Sequence, residues 1–257
     1  MTADSASLSC PRLFVESALQ AAQVLKLGPE QSHYLGAVMR AQPGENVLLF
    51  NGTEGEWLAR IEQVGRAGVE VIIERQTRPQ TAEPAARFDP WLLAAPLKRD
   101  RTDLVAEKVA ELGATRFQPV FTRRTIASRV NAARLQARMI EAAEQCERLT
   151  VPVLAEAMRL EAVLDSWPAE RTLLFLDETG GGEPLAGLAA GWDAGPVALL
   201  IGPEGGFAPE ERARLVARSF VRPVGLGPRI LRAETATIAA LALWQALAGD
   251  FTRPPRG

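Results

Sequence analysis

Ile201-Gly-Pro-Glu-Gly-Gly-Phe207 and Gly225-Leu-Gly-Pro-Arg-Ile-Leu-Arg-Ala-Glu-Thr-Ala236 decide how this chain is read. Each glycine-rich turn follows an apolar run, Val197 to Ile201 and Val221 to Leu226, short enough to be a buried strand. Open α/β sheets bind ligands at the carboxyl ends of such strands, so the two turns are expected to form a binding site at neighbouring strand tips. Neither turn reads G-x-G-x-x-G, and neither has the Gly-Lys-Ser/Thr ending of a phosphate-binding loop. Glu204 places a carboxylate within the first turn, where it would repel a phosphate. The glycines instead let main chain come close to an uncharged or cationic ligand.

Around these turns, strand-like and helix-like runs alternate. Trp91 to Ala95 precedes a helix with Leu104, Val105, Lys108, Val109 and Leu112 on one side and Gly113 as its stop. Phe117 to Phe121 precedes a helix capped by Asn131 and reaching about Arg148. Thr172 to Leu176 is a further buried strand. Pro209 opens a helix whose first turn carries Glu210 and Glu211, where negative charge suits the dipole. The alternation means an α/β domain with a largely parallel sheet. The last helix, Thr235 to Ala248, is apolar nearly all round and needs cover on several sides, which points to a homodimer interface or else to a helix central in its own domain.

The first 75 residues are different. Val47 to Phe50, the turn signal Asn51-Gly52, the alternation of Trp57, Ala59 and Ile61, and Val69 to Ile73 read as a β-rich unit. One helix interrupts it, opened by Pro29, with Leu35, Val38 and Met39 on a shared face, and stopped at Pro43-Gly44. Three prolines between residues 78 and 90 mark a linker. The expected division is therefore 1–77, linker 78–90, a second domain 91–250 and a tail 251–257.

Composition removes several function classes. The chain has 257 residues, 47% of them apolar and 23% charged, as in a globular domain with a sizeable core. No apolar run has the length of a membrane span, and the N-terminus lacks the pattern of a signal peptide. Cys10, Cys146 and a single histidine, His33, leave little for a disulfide framework, a metal site or a Ser-His-Asp triad. The chain reads as cytoplasmic, with neither membrane nor metal. Residues 98–138 hold ten basic and four acidic side chains, a surplus that suits a polyanion or forms a solvated arginine-rich face.

The two turns, in this order, resemble the bacterial 16S rRNA uridine-N3-methyltransferase family of the SPOUT superfamily, the knotted S-adenosylmethionine-dependent RNA methyltransferases. Further stretches carry the likeness: Arg12-Leu-Phe-Val15, His33 to Arg40 with Pro43-Gly44, Lys98 to Gly113, and Glu141 to Arg148 followed by Pro152. It runs from about residue 12 to 250. Met39, where a leucine is usual, and Thr122-Arg-Arg-Thr125 depart from the family pattern. The resemblance implies an N-terminal PUA-like β-barrel that helps hold RNA, then an α/β SPOUT methyltransferase domain with a C-terminal trefoil knot. It also implies a homodimer acting on 16S rRNA or the small ribosomal subunit.

On that resemblance, S-adenosyl-L-methionine is held by Leu176, Asp177, Ile201, Gly202, Pro203, Glu204, Gly205, Gly206, Leu226, Gly227, Ile230, Leu231, Thr235 and Ala236. Uridine N3 must lose its proton before it is a nucleophile, and a cationic donor beside O2 or O4 stabilises the deprotonated base. Arg232 is the candidate cation, unless it serves a structural pair with Glu204 or Glu234. Glu234 is the candidate proton acceptor, unless it caps its helix. Phosphate contacts are expected from Arg12, Arg40, Lys98, Arg99, Arg101, Arg123 and Arg124, which fix register without reading sequence. Lys108 and Glu111 fit a local ion pair, Cys146 a core position, and His33 a packed or helix-surface one. The alternatives are a SPOUT ribose 2′-O-methyltransferase, a non-catalytic RNA-binding or ribosome-assembly protein, and, more distantly, a nicotinamide-dependent dehydrogenase that lacks its phosphate fingerprint.

Overall fold

A computed structural model describes residues 10–83 and 87–254. The chain divides into two compact units, Met1–Ala85 with Ala143–Val151, and Ala86–Ala142 with Pro152–Gly257.

In the first unit β1 (Arg12–Phe14), β2 (Val24–Lys26), β3 (Asn46–Phe50), β4 (Glu56–Gly65) and β5 (Gly68–Arg78) form one sheet in the order β1-β3-β4-β5-β2. Every pair is antiparallel except β1 with β3. Alternate residues turn inward, among them Val47 and Leu49, Ala59 and Ile61, and Val69, Val71 and Ile73, and they share one core with Leu13, Leu25 and Leu35. Register shifts in the β4–β5 ladder bend the sheet around that core. The Asn51-Gly52 signal marks a longer loop than a two-residue turn, because the Asn51 side chain accepts the N–H groups of Thr53 and Glu54 at 3.1 and 3.0 Å.

The interrupting helix needs a correction. α1 (Pro29–His33) is one short stretch, and Tyr34–Val38 continues it as a π-helical turn. The wider turn carries the following residues off the buried face, so Leu35 is buried while Val38 and Met39 are exposed. His33 is also at the surface. A second feature lies outside the order of the chain: residues 143–151 count with the first unit. Ala143 and Leu149 pack on Phe50, and the Glu83 carboxylate accepts the Leu149 N–H at 2.8 Å and the Thr150 hydroxyl at 2.9 Å.

The second unit alternates strand and helix: β6 (Trp91–Ala94), α2 (Arg99–Glu111), β7 (Arg116–Phe121), α3 (Ala132–Gln145), β8 (Val153–Leu154), β9 (Met158–Arg159), α4 (Leu160–Asp165), β10 (Thr172–Leu176), β11 (Glu183–Pro184), α5 (Leu185–Ala190), β12 (Val197–Ile201), α6 (Pro209–Val216), β13 (Val221–Gly225) and α7 (Ala233–Leu247). Its sheet is parallel throughout, ordered β11-β13-β10-β12-β6-β7-β8, with β9 beside β7. Helices α2, α4, α6 and α7 pack on its strands, and every residue of β12 is buried, as expected of a central parallel strand. The two diagnostic strands are not neighbours, because β10 lies between β12 and β13.

On α2 the buried stripe is Thr102, Val105, Ala106, Val109 and Ala110, with Leu104 and Leu112 only half-buried, one position round from the expected face. Lys108 does pair with Glu111, at 2.7 Å. Asn131 caps α3, its side chain accepting the Arg134 N–H at 3.1 Å. That helix stops at Gln145, so Cys146 lies beyond its end and is half-buried rather than core. On α7, Ala233, Thr237, Ala240, Leu241 and Trp244 are buried against β12, α2 and α5, and Trp244 meets Trp192 edge-to-face at 5.3 Å. Buried Gln245 fastens the end of α7 by donating to Leu112 O at 2.9 Å and accepting from Asp250 N–H at 3.1 Å.

Candidate active site

The carboxyl ends of β13, β10 and β12 stand side by side, and a cavity of about 320 Å³ opens among the turns that leave them. Among the expected ligand-holding residues, all except Gly205 and Thr235 line it. The wall also includes Glu178, Gly180, Val224, Arg229 and Ala233. The run Thr179-Gly-Gly-Gly182 after β10 is the sequence signal that would have pointed to Gly180.

The first turn is held from three sides. Gly206 N–H donates to Pro203 O at 2.9 Å, closing a β-turn. Gly206 has φ +68°, and a Cβ there would run into the Glu178 carboxylate. That carboxylate, at the tip of β10, accepts the Phe207 N–H at 3.0 Å. The Phe207 ring is buried edge-on to Phe175 at 4.9 Å. Arg124 donates to Gly205 O at 2.9 Å.

Asp177 is occupied in a different way. Its side chain is 0% exposed and takes the Arg212 guanidinium at 2.7 and 3.0 Å and the Thr179 hydroxyl at 2.7 Å. Burial pushes its carboxyl upward, but Arg212 and the Thr179 donors outweigh that and hold it below the ordinary aspartate range. Its carboxylate therefore braces β10 against α6, leaving its main chain to the cavity.

The second turn is open on the cavity side. Cβ atoms built on Gly225 and Gly227 meet nothing within 4 Å, and Gly227 has φ +95°. Main chain is thus bare where a ligand would lie, while Leu226, Ile230 and Leu231 supply apolar wall. Ile230 is 91% exposed at this rim.

The structural pair considered for Arg232 is not formed. Arg232 is exposed on the cavity wall and makes no ion pair with any described residue. Arg101 of α2 takes both carboxylates that were candidates to pair with Arg232, Glu204 at 3.6 Å and Glu234 at 3.5 Å. Glu234 is outside the cavity wall, and its second oxygen is buried without a hydrogen-bond partner.

The expected phosphate contacts separate. Arg12 is corrected: its side chain is 7% exposed, pairs with Glu56 at 2.7 Å, stacks on Phe50 and donates to the carbonyl of Ala143, so it is a structural pin. Arg101 and Arg124 are engaged with the site as described. Arg123 is exposed and reaches Glu210 at 3.4 Å. Arg40 and Lys98 are exposed. Arg99 lies in α2, with its side chain outside the described residues.

Known proteins resemble this chain in sequence and fold. Residues 85–245 match the RNA methyltransferase domain model and residues 27–74 the RNA methyltransferase PUA domain model. The ribosomal RNA small subunit methyltransferase E of Rickettsia conorii is 31% identical over 90% of this chain and 93% of its own length. The chain belongs to the ribosomal RNA small subunit methyltransferase E family. Among solved structures, the Neisseria gonorrhoeae member of that family, bound to S-adenosyl methionine, superposes with a TM-score of 0.84 at 32% identity, covering 95% of this chain and 100% of that one. A Legionella pneumophila protein in complex with the cofactor SAM gives a TM-score of 0.87 at 31% identity over 95% and 100% of the two chains.

Proposed function

We propose that this chain is an S-adenosylmethionine-dependent methyltransferase that methylates N3 of a uridine in the 16S rRNA of the small ribosomal subunit. The observation that carries this is the cavity at the three strand tips, with bare main chain at Gly225 and Gly227 and a carboxylate, Glu204, where a phosphate-binding loop would have none. Its volume is at the lower end of small-ligand pockets, and its mixture of apolar wall and main-chain groups fits an adenosine with an amino-acid tail. Main chain at Gly202, Leu226 and Leu231 is placed to hold adenine and ribose, with Ile201, Ile230 and Ala236 as apolar wall.

Bound there, the cofactor supplies a methyl group on a cationic sulfur. The chain's own contribution is to orient, to exclude water and to manage a proton. Holding reactants in line lowers a barrier by ~7–11 kcal/mol in the most favourable intramolecular cases. Arg232, a cation with no ion-pair partner among the described residues, stabilises charge on a uracil oxygen as N3 ionises. Glu234, held by Arg101 and outside the cavity wall, is a positioning residue rather than the proton acceptor. Arg40 in the first unit, and Lys98 and Arg123 in the second, are the remaining phosphate contacts. Because ribosomal RNA is the substrate, the enzyme works in the cytoplasm. Among the described residues no helix is long and apolar enough to cross a membrane.

The same reading includes a homodimer. Ile230 at the cavity rim and Leu247 on the outer side of α7, 38% exposed, are apolar surface that a second copy would cover.

The test is methylation of rRNA from cells lacking the gene, followed by digestion to nucleosides and mass spectrometry. The expected product is 3-methyluridine. A 2′-O-methyl nucleoside would indicate the ribose-modifying alternative, and no transfer from labelled donor would indicate a binding protein.

A further inference from the structure

A second cavity, of about 750 Å³, shares the wall residue Glu204 with the cavity at the strand tips. One side is the start of α2, where the Thr102 hydroxyl bonds to both the N–H and the C=O of Leu97, at 2.9 and 3.0 Å. The other side is the segment 126–135, which Asn131 fixes by capping α3. Lys98, Arg129 and Arg134 bring positive charge to it. Asp103 anchors Arg134, whose Nε is buried without a partner. Lys98 and Arg129 have no ion-pair partner among the described residues. Ile126 is an exposed apolar side chain at the edge. Apart from Glu204, none of these groups lines the donor cavity.

The polarity of this space is that of a nucleotide. Free cations suit a phosphate, and at Glu204 a carboxylate stands 3.6 Å from the Arg101 guanidinium. An acceptor flanked by a donor complements the imide edge of uracil, where N3–H lies between two carbonyl oxygens. Cytosine would set its own acceptor nitrogen against the carboxylate and be rejected.

We propose that this second cavity receives the target nucleotide, with the Glu204–Arg101 pair reading the uracil imide and Glu204 taking the N3 proton. The N3–H bond breaks, its electron pair stays on nitrogen, and the proton goes to a Glu204 carboxylate oxygen. Arg101 faces the charge that develops on the adjacent carbonyl oxygen, and Arg232 serves the other. The inference rests on the uridine-N3 reading and assigns the acceptor subsite and the proton acceptor within it.

Three variants of the full chain test it: Ser128→Trp, which fills the cavity from an exposed position, Lys98→Ala with Arg129→Ala, and Glu204→Gln. Affinity for a short RNA with one unpaired uridine is read by fluorescence anisotropy, donor affinity by titration calorimetry, and methyl transfer by product. The first two are expected to weaken RNA binding at least tenfold with donor affinity within twofold. Glu204→Gln is expected to lower kcat at least a hundredfold, with partial recovery as pH rises and solvent removes the proton. Unchanged RNA affinity in Ser128→Trp, or more than a third of kcat in Glu204→Gln, overturns the proposal. Wild-type protein that makes no 3-methyluridine overturns the functional reading instead.

Discussion

Gly206 holds the first turn by what it lacks. Its φ of +68° is a conformation that side chains disfavour, and the space a Cβ needs is taken by Glu178, whose carboxylate holds the Phe207 N–H. Gly206→Ala should cost roughly 1–3 kcal/mol of strain and weaken S-adenosylmethionine binding at least tenfold, as titration calorimetry would show; near-normal affinity would contradict this. Asp177 makes a second prediction. Its native carboxyl titrates below its unfolded value, so its pairing with Arg212 stabilises the fold fully above about pH 4, the ordinary aspartate value. That stability is lost as pH falls through the lowered native value. Urea denaturation at stepped acid pH should therefore show a steeper loss for wild type than for Asp177→Asn, and parallel curves would refute the assignment. At this scale residue types were legible and partners were not. The glycines and Glu204 announced a phosphate-free turn in the sequence. That Arg101 would take both carboxylates, and Arg12 be buried on Glu56, depends on residues far apart in the chain.

Elements were legible wherever a local signal specified them. Pro209 opens α6, Asn131 caps α3, and the apolar runs of β10 and β12 form strands because each signal acts within a few residues. The order of strands in the sheet was not, since pairing is decided by long-range burial, and the site depends on the tip of β10 lying between the other two. The helix after Pro29 departs from its expected face because a wider turn at Tyr34–Val38 breaks the 3.6-residue period. Glu211 shows the same limit. Its place in the first turn of α6 suits the dipole, and it accepts the Ala208 N–H there at 2.9 Å, but the sequence did not show that it is 2% exposed and also accepts the Arg123 N–H at 2.7 Å. It ties the segment after β7 to the start of α6. Glu211→Ala should cost about 3 kcal/mol, as expected when buried donors lose a charged acceptor, measured by urea denaturation. A cost under about 1 kcal/mol would show that the tie is not needed.

At the scale of the molecule, the two units have separate cores, and the methyltransferase unit carries the cavity at the strand tips and the one that shares Glu204 with it. Leu247 at the end of α7 and Ile230 are among the exposed apolar side chains of that unit. If a second copy covers them, sedimentation of the purified protein gives a dimer, and Leu247→Asp gives a monomer with lost methyl transfer. A wild-type monomer of full activity would refute the interface. On the proposed function, the tips of β13, β10 and β12 hold a methyl donor. The most direct measurement is a crystal structure of the protein grown with S-adenosylmethionine. The expected result is donor density in the 320 Å³ cavity, against main chain at Gly202, Leu226 and Leu231. Donor bound elsewhere, with that cavity filled by water alone, would contradict the account.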